Sequence, residues 1–169
     1  MVDPTYILTA ELDEASFAWL DGLRRTHFPP ARNVLSAHLT MFHLLSGAQV
    51  ERLSAMPLPS VPIKLTFDRL RFLGAGVAYS IQSPDLLRLR GEITAAMAGD
   101  LSRQDSQKWT PHVTVQNKVP ADTARKLFAT LDENFVARTG HVTGLSVWEY
   151  LGGPWKLARR LPFESPRQP

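Results

Sequence analysis

Two stretches, SAHLTMF at residues 36–42 and TPHVTVQ at residues 110–116, decide how this chain is read. Each holds a histidine, an apolar residue, a threonine and another apolar residue. On a β-strand, residues i and i+2 share a face. His38 and Thr40 therefore point one way, and so do His112 and Thr114. Leu39 and Met41, like Val113 and Val115, point the other way and suit a core. The two histidines stand 74 positions apart, since 112 − 38 = 74.

Working outward from the pair, the same order of elements surrounds each copy. Before the first lie a strand at residues 5–11 and a helix after Asp13 carrying Phe17, Leu20, Leu23 and Arg24, closed by Pro29-Pro30. The first strand, 37–45, is followed by a helix at 49–56 and a strand at 61–73. A turn at Gly74-Ala75-Gly76 leads into a strand at 77–82. Ser83 and Pro84 then open a helix with an apolar face of Leu86, Leu87, Leu89, Arg90, Ile93 and Met97. The second strand, 111–118, is followed by a helix at 120–131 with Leu127 and Phe128 inward, and by a strand at 142–150. Gly152-Gly153-Pro154 turns the chain into a last strand at 155–161, and residues 164–169 read as a loose tail. Strand, helix, strand, helix, strand thus occurs twice. The 74-residue offset also pairs Thr5 with Tyr79 and Phe67 with His141. The expected fold class is α+β: one bilobal domain over residues 1–169, built from a duplicated unit with pseudo-twofold symmetry. Two antiparallel sheets flank a central cleft, with helices outside.

The His-x-Thr pattern carries the chemistry. Histidine gives or takes a proton near neutral pH. Two of them on either side of one phosphorus act as acid and base, and threonine hydroxyls donate to phosphate oxygens as charge develops. With five histidines and 12 threonines in 169 residues, chance supplies roughly 0.4 such pairs, against three observed. The third, His141-Val142-Thr143, is followed by Gly144 and matches Phe67 under the offset, so it reads as an ordinary strand position. His43 lies five after His38 and reads as a core-side structural residue. His27 sits at a helix end. No cysteine is present, which excludes thiolate catalysis, disulfides and cysteine-held metals. The formal net charge of +3 permits a phosphate-bearing ligand without requiring one.

Two H-x-T-x motifs in this setting resemble the two-histidine (2H) phosphoesterase superfamily, and within it the 2′-5′ RNA ligase-like, 2′,3′-cyclic phosphodiesterase branch. Supporting stretches are RTHFPPARNVLSAHLTMFH, LRFLGAGVAYSI, PHVTVQNKV and GLSVWEYLGGPWKL. The resemblance implies catalytic roles for His38, His112, Thr40 and Thr114, with His112 as base and His38 as acid. It implies hydrolysis of 2′,3′-cyclic or 2′-5′-linked nucleotide or RNA phosphoesters with no metal and no cofactor. Some RNA-acting relatives carry an arginine just after the second motif; here Gln116-Asn117-Lys118 stands there, leaving Lys118 to supply charge. Phe42, on the His38 face by strand alternation, and Trp148, Tyr150 and Trp155, around the last turn, are candidates to meet a base or ribose. Arg24, Arg25, Arg159 and Arg160 are candidates to steer phosphate or plain surface residues.

The alternatives are a non-catalytic RNA- or nucleotide-binding module of the same fold and a zinc hydrolase. Complete His and Thr pairs argue against the first, because simple phosphate binding favours Arg or Lys, and the second lacks an H-E-x-x-H helix. No basic leader and no membrane-length apolar run is read, so a cytoplasmic monomer meeting a nucleotide or RNA-terminal phosphate, and no membrane, is expected.

Overall fold

The computed structural model describes residues 2–163; the tail expected at 164–169 lies outside them. Strands β1 (Thr5–Leu12), β2 (Leu39–Leu45), β3 (Ile63–Phe72), β4 (Val77–Gln82), β5 (His112–Gln116), β6 (Arg138–Tyr150) and β7 (Trp155–Pro162) alternate with helices α1 (Glu14–His27), α2 (Gly47–Ser54), α3 (Pro84–Ala96) and α4 (Ala121–Asp132). The doubled order β-α-β-α-β is present, and β7 is added at the end.

Local chemistry sets the helix ends. Asp13 accepts from Ser16 N at 3.1 Å and caps α1, whose last turn carries Arg24, Arg25 and His27 against the negative end of the helix. Ser46 and Gln49 form a reciprocal capping box on α2. Ser83 caps α3 and also donates to Lys64 O at 2.7 Å, tying the helix start to β3. On α3 the buried residues Leu86, Leu89, Arg90 and Ile93 follow helical spacing, with buried Met97 at the C-cap. Leu87 falls off that stripe and is exposed, correcting its expected inward place. Phe128 is only partly buried beside Leu127.

All strand pairs are antiparallel, and the hydrogen-bonded order is β2-β1-β6-β3-β4-β5, with β7 also on β6. The lobes exchange their third strands. β6, from the second repeat, pairs with β1 of the first along Thr5–Leu12, while β3, from the first repeat, pairs with β4 of the second. The two lobe sheets join where β3 meets the beginning of β6, Ile63 opposite Val142 through Phe67 opposite Arg138. β6 is therefore longer than the strand expected at 142–150. Its first residues, Arg138-Thr139-Gly140-His141, carry little strand signal in sequence. Gly140 is needed because a side chain there would strike Ser16, Phe67 and Asp13.

The motif strands β2 and β5 are the two ends of this path, and both line one cleft. Edge strands leave backbone groups open, and here two buried arginines fill them reciprocally. Arg24 of α1 donates to Thr114 O at 3.1 Å and to Leu35 O at 2.9 Å. Arg90 of α3 donates to Met41 O at 3.0 Å and to Asp105 O at 2.9 Å. Each guanidinium lies over an aromatic ring, Arg24 over Phe28 and Arg90 over Phe42. Each repeat thus fastens the other's motif strand.

Candidate active site

The alternation expected for the motifs is present. Leu39, Met41, Val113 and Val115 are fully buried, and His38, Thr40, His112 and Thr114 are half-buried on the opposite face. All four polar residues line one cleft of about 520 Å³. The imidazoles are held alike: His38 Nδ1–H donates to Ser36 O at 2.8 Å, and His112 Nδ1–H donates to Thr110 O at 2.9 Å. A carbonyl two residues upstream fixes each ring and leaves Nε2 for chemistry. Trp155 of β7 stands edge-on to His38 with ring centroids 4.8 Å apart.

Burial dominates the electrostatics. It pushes His38 down to about 4, with the positive charges of Arg24, His112 and His43 adding to the effect and the Ser36 carbonyl opposing it. Burial also lowers His112, less strongly, helped by Arg71 and His43 and opposed by the Thr110 carbonyl. The cleft therefore keeps both rings ready to take up protons as an anion enters.

Phe42 corrects its expected place. Register shifts in the β1–β2 pairing put Leu8 opposite Phe42 and Thr9 opposite Thr40, so a bulge adds one residue between them and reverses the alternation. Phe42 is fully buried beneath Arg90 and cannot meet a base. By the same inversion His43, expected on the core side, is exposed and lines the cleft. Its Nδ1 lies 3.1 Å from Asp105 Oδ1. Lys118 is exposed in a turn beyond β5, at φ 61°, and does not line the cleft. Tyr150 is exposed away from it as well. Trp148 lines a neighbouring cavity of about 620 Å³, which shares His38 and Trp155 with the cleft, and donates to Thr9 Oγ1 at 2.9 Å. His141 lies exposed on β6 outside both cavities.

Arg71 supplies the positive charge sought after the second motif. In register, Arg71 of β3, Ala78 of β4 and Thr114 of β5 lie side by side, and the small Ala78 lets the arginine reach across. Its Nη1 donates to Thr110 Oγ1 at 3.0 Å and lies 3.4 Å from His112 Nδ1. Strand pairing, invisible in a single sequence, brings it there. Among the described residues, no three His, Cys, Asp or Glu side chains group as metal ligands.

Paired His-x-Thr strands at the two edges of a doubled, curled α+β sheet are the architecture of the two-histidine phosphoesterases. The family model described as the 2′-5′ RNA ligase superfamily matches residues 12–154, and the chain belongs to that superfamily. The fold is similar to the crystal structure of TT0787 of Thermus thermophilus, with a TM-score of 0.64 at 13% identity, covering 96% of this chain and 100% of that one. A crystal structure of a phosphoesterase matches with a TM-score of 0.62 at 16% identity, over 97% and 100% of the two chains. E. coli LigT complexed with 3′-AMP matches with a TM-score of 0.60 at 16% identity, over 95% and 98%. No curated protein sequence matches the chain. Among the described residues no helix is long and apolar enough to cross a membrane.

Proposed function

We propose that this protein is a metal-independent phosphodiesterase that hydrolyses 2′,3′-cyclic or 2′-5′-linked phosphate esters of nucleotides or RNA. The observation that carries this reading is the convergence of two identically anchored histidines and two threonines on one cleft. The similar fold of E. coli LigT, solved with 3′-AMP, supports a nucleotide ligand.

The scissile phosphate sits between the motifs. One imidazole Nε2 takes a proton from water, and water's oxygen forms a bond to phosphorus. The bond from phosphorus to the leaving ribose oxygen breaks, and the other imidazole protonates that oxygen. Thr40 and Thr114 donate to the non-bridging oxygens, where charge accumulates. The resemblance assigned the base to His112 and the acid to His38. Burial favours the neutral form of both rings, most strongly at His38, which supports His38 as the proton acceptor; His112 then takes up a proton as the phosphate anion enters and passes it to the leaving oxygen.

The defining test is a panel of 2′,3′-cyclic nucleotides and 2′-5′ and 3′-5′ oligonucleotides assayed with EDTA. Turnover of a cyclic or 2′-5′ substrate is expected to persist under chelation. Loss with EDTA and recovery with added zinc or manganese would transfer the chemistry to a metal.

A second expectation concerns pH. The base is active when neutral, so kcat/KM rises as pH climbs through the His38 value; the acid is active when protonated, so it falls as pH climbs through that of His112. Both values are lowered in the free enzyme, so the bell is centred on the acid side of the ordinary histidine value of 6.5. In His38→Ala the rising limb should vanish from the residual activity, and in His112→Ala the falling limb. The opposite exchange of limbs would restore His112 as base.

A further inference from the structure

We propose that His43, held by Asp105 and accompanied by Arg71 and Lys108, recognises a second phosphoryl group on the substrate, separate from the ester that is cleaved. The inference rests on reading the cleft as a phosphodiesterase site and names the class of nucleotide it takes.

The position is built rather than incidental. The β2 bulge turns His43 out of the core and into the cleft that His38, Thr40, His112 and Thr114 line. Behind it, Asp105 is 1% exposed and accepts from His43 N at 2.8 Å, Leu44 N at 2.9 Å and Ser102 Oγ at 3.1 Å. The His43 Nδ1–H donates to the same carboxylate at 3.1 Å. That bond fixes the ring and leaves Nε2 as its other polar atom. A buried carboxylate behind an imidazole is the counter-charge that an imidazolium needs when it meets an anion on its far side. His43 is also close enough to be felt electrostatically at both His38 and His112.

Charge matching then argues for a second anion. A phosphodiester has two non-bridging oxygens and one negative charge. The threonines serve those oxygens, and the paired histidines serve the attacking and departing oxygens. Arg71 and Lys108 line the same cleft, and neither forms an ion pair among the described residues. Among the described residues the cleft's one carboxylate, Asp105, is already committed to backbone groups, Ser102 and His43. Positive charge therefore exceeds what one diester neutralises. A nucleotide that carries a phosphomonoester beyond the cleaved linkage fits the surplus, with His43 on its oxygens.

Two readouts separate this inference from the catalytic reading. By titration calorimetry, the wild-type protein should bind adenosine 3′,5′-bisphosphate about 10-fold or more tighter than adenosine 3′-phosphate, the gain expected of charge-assisted hydrogen bonds. His43→Gln, a substitution of an exposed side chain, should bring the two affinities to within about 2-fold. The ratio of kcat/KM for adenosine 2′,3′-cyclic phosphate with and without a 5′-phosphate should shrink in parallel. A wild-type protein that shows no preference, or a His43→Gln variant that keeps it, overturns the proposal, as does a preference that only Arg71→Gln removes. If cyclic phosphates are not hydrolysed but bisphosphate binding still depends on His43, the second-phosphate site is supported and the catalytic reading falls.

Discussion

His38→Ala and His112→Ala are each expected to lower kcat on a cyclic phosphate by about 10²-fold or more, because on the proposed reading each removes a proton-transfer group. The double variant should lose far less than the product of the two, since acid and base act on one transition state as a unit. Thr40→Ala and Thr114→Ala should cost about 10-fold to 10³-fold, as donors to developing charge. The His141→Ala variant is the internal control. It removes the third His-x-Thr histidine, which lies outside the cleft, and should retain wild-type turnover. Circular dichroism on each variant separates lost chemistry from lost fold. A His141→Ala protein that is folded and inactive, beside active His38→Ala and His112→Ala proteins, would show that the wrong strands were paired.

Arg90→Ala should be the most damaging substitution outside the chemistry. Arg90 is 9% exposed and donates to two carbonyls, one on the first motif strand and one on the loop that carries Asp105. Its guanidinium also covers Phe42 at 4.4 Å and Trp109 at 5.2 Å. Alanine removes two charge-assisted bonds, leaves buried carbonyls unmet and opens space over both rings. A loss of about 3 kcal/mol is expected, read as a lower urea midpoint with an unchanged slope. Arg90→Met refills the volume without the donors, so it should recover only the packing share. A variant within about 0.5 kcal/mol of wild type would mean that the β2 edge does not depend on this side chain.

The doubled element order and the shared cleft of His38, Thr40, His112 and Thr114 were legible because both follow from period-two alternation and spacing. Leu39, Met41, Val113 and Val115 alternate with His and Thr in sequence, and their burial follows that alternation. Legibility ends where the strand stops alternating. Nothing in TMFHLL marks an extra residue in the ladder, yet the bulge exchanges the fates of Phe42 and His43. Arg71 could not be found by the same means, because its place beside His112 depends on the pairing of β3, β4 and β5 rather than on its own neighbours. In sequence Arg24 reads as a phosphate-steering or surface cation and Arg90 as part of a helix's apolar face, yet both are buried. What they do depends on two open sheet edges that no single helix reveals.

The exchanged third strands also govern how the molecule can be made. Thr5 meets Tyr150, and Leu12 meets Val142, so among the described strands β1 waits for β6, which is made much later. Pairings this distant in sequence carry a large loop-closure cost and slow folding. Until residues 142–150 emerge, β1 has its β6-facing edge open, and the nascent first lobe cannot finish its sheet. The second lobe's hairpin, β3 with β4, needs only the turn between them. Sheet formation is therefore expected to start at the β3–β4 hairpin and to reach β1 only after β6 is made.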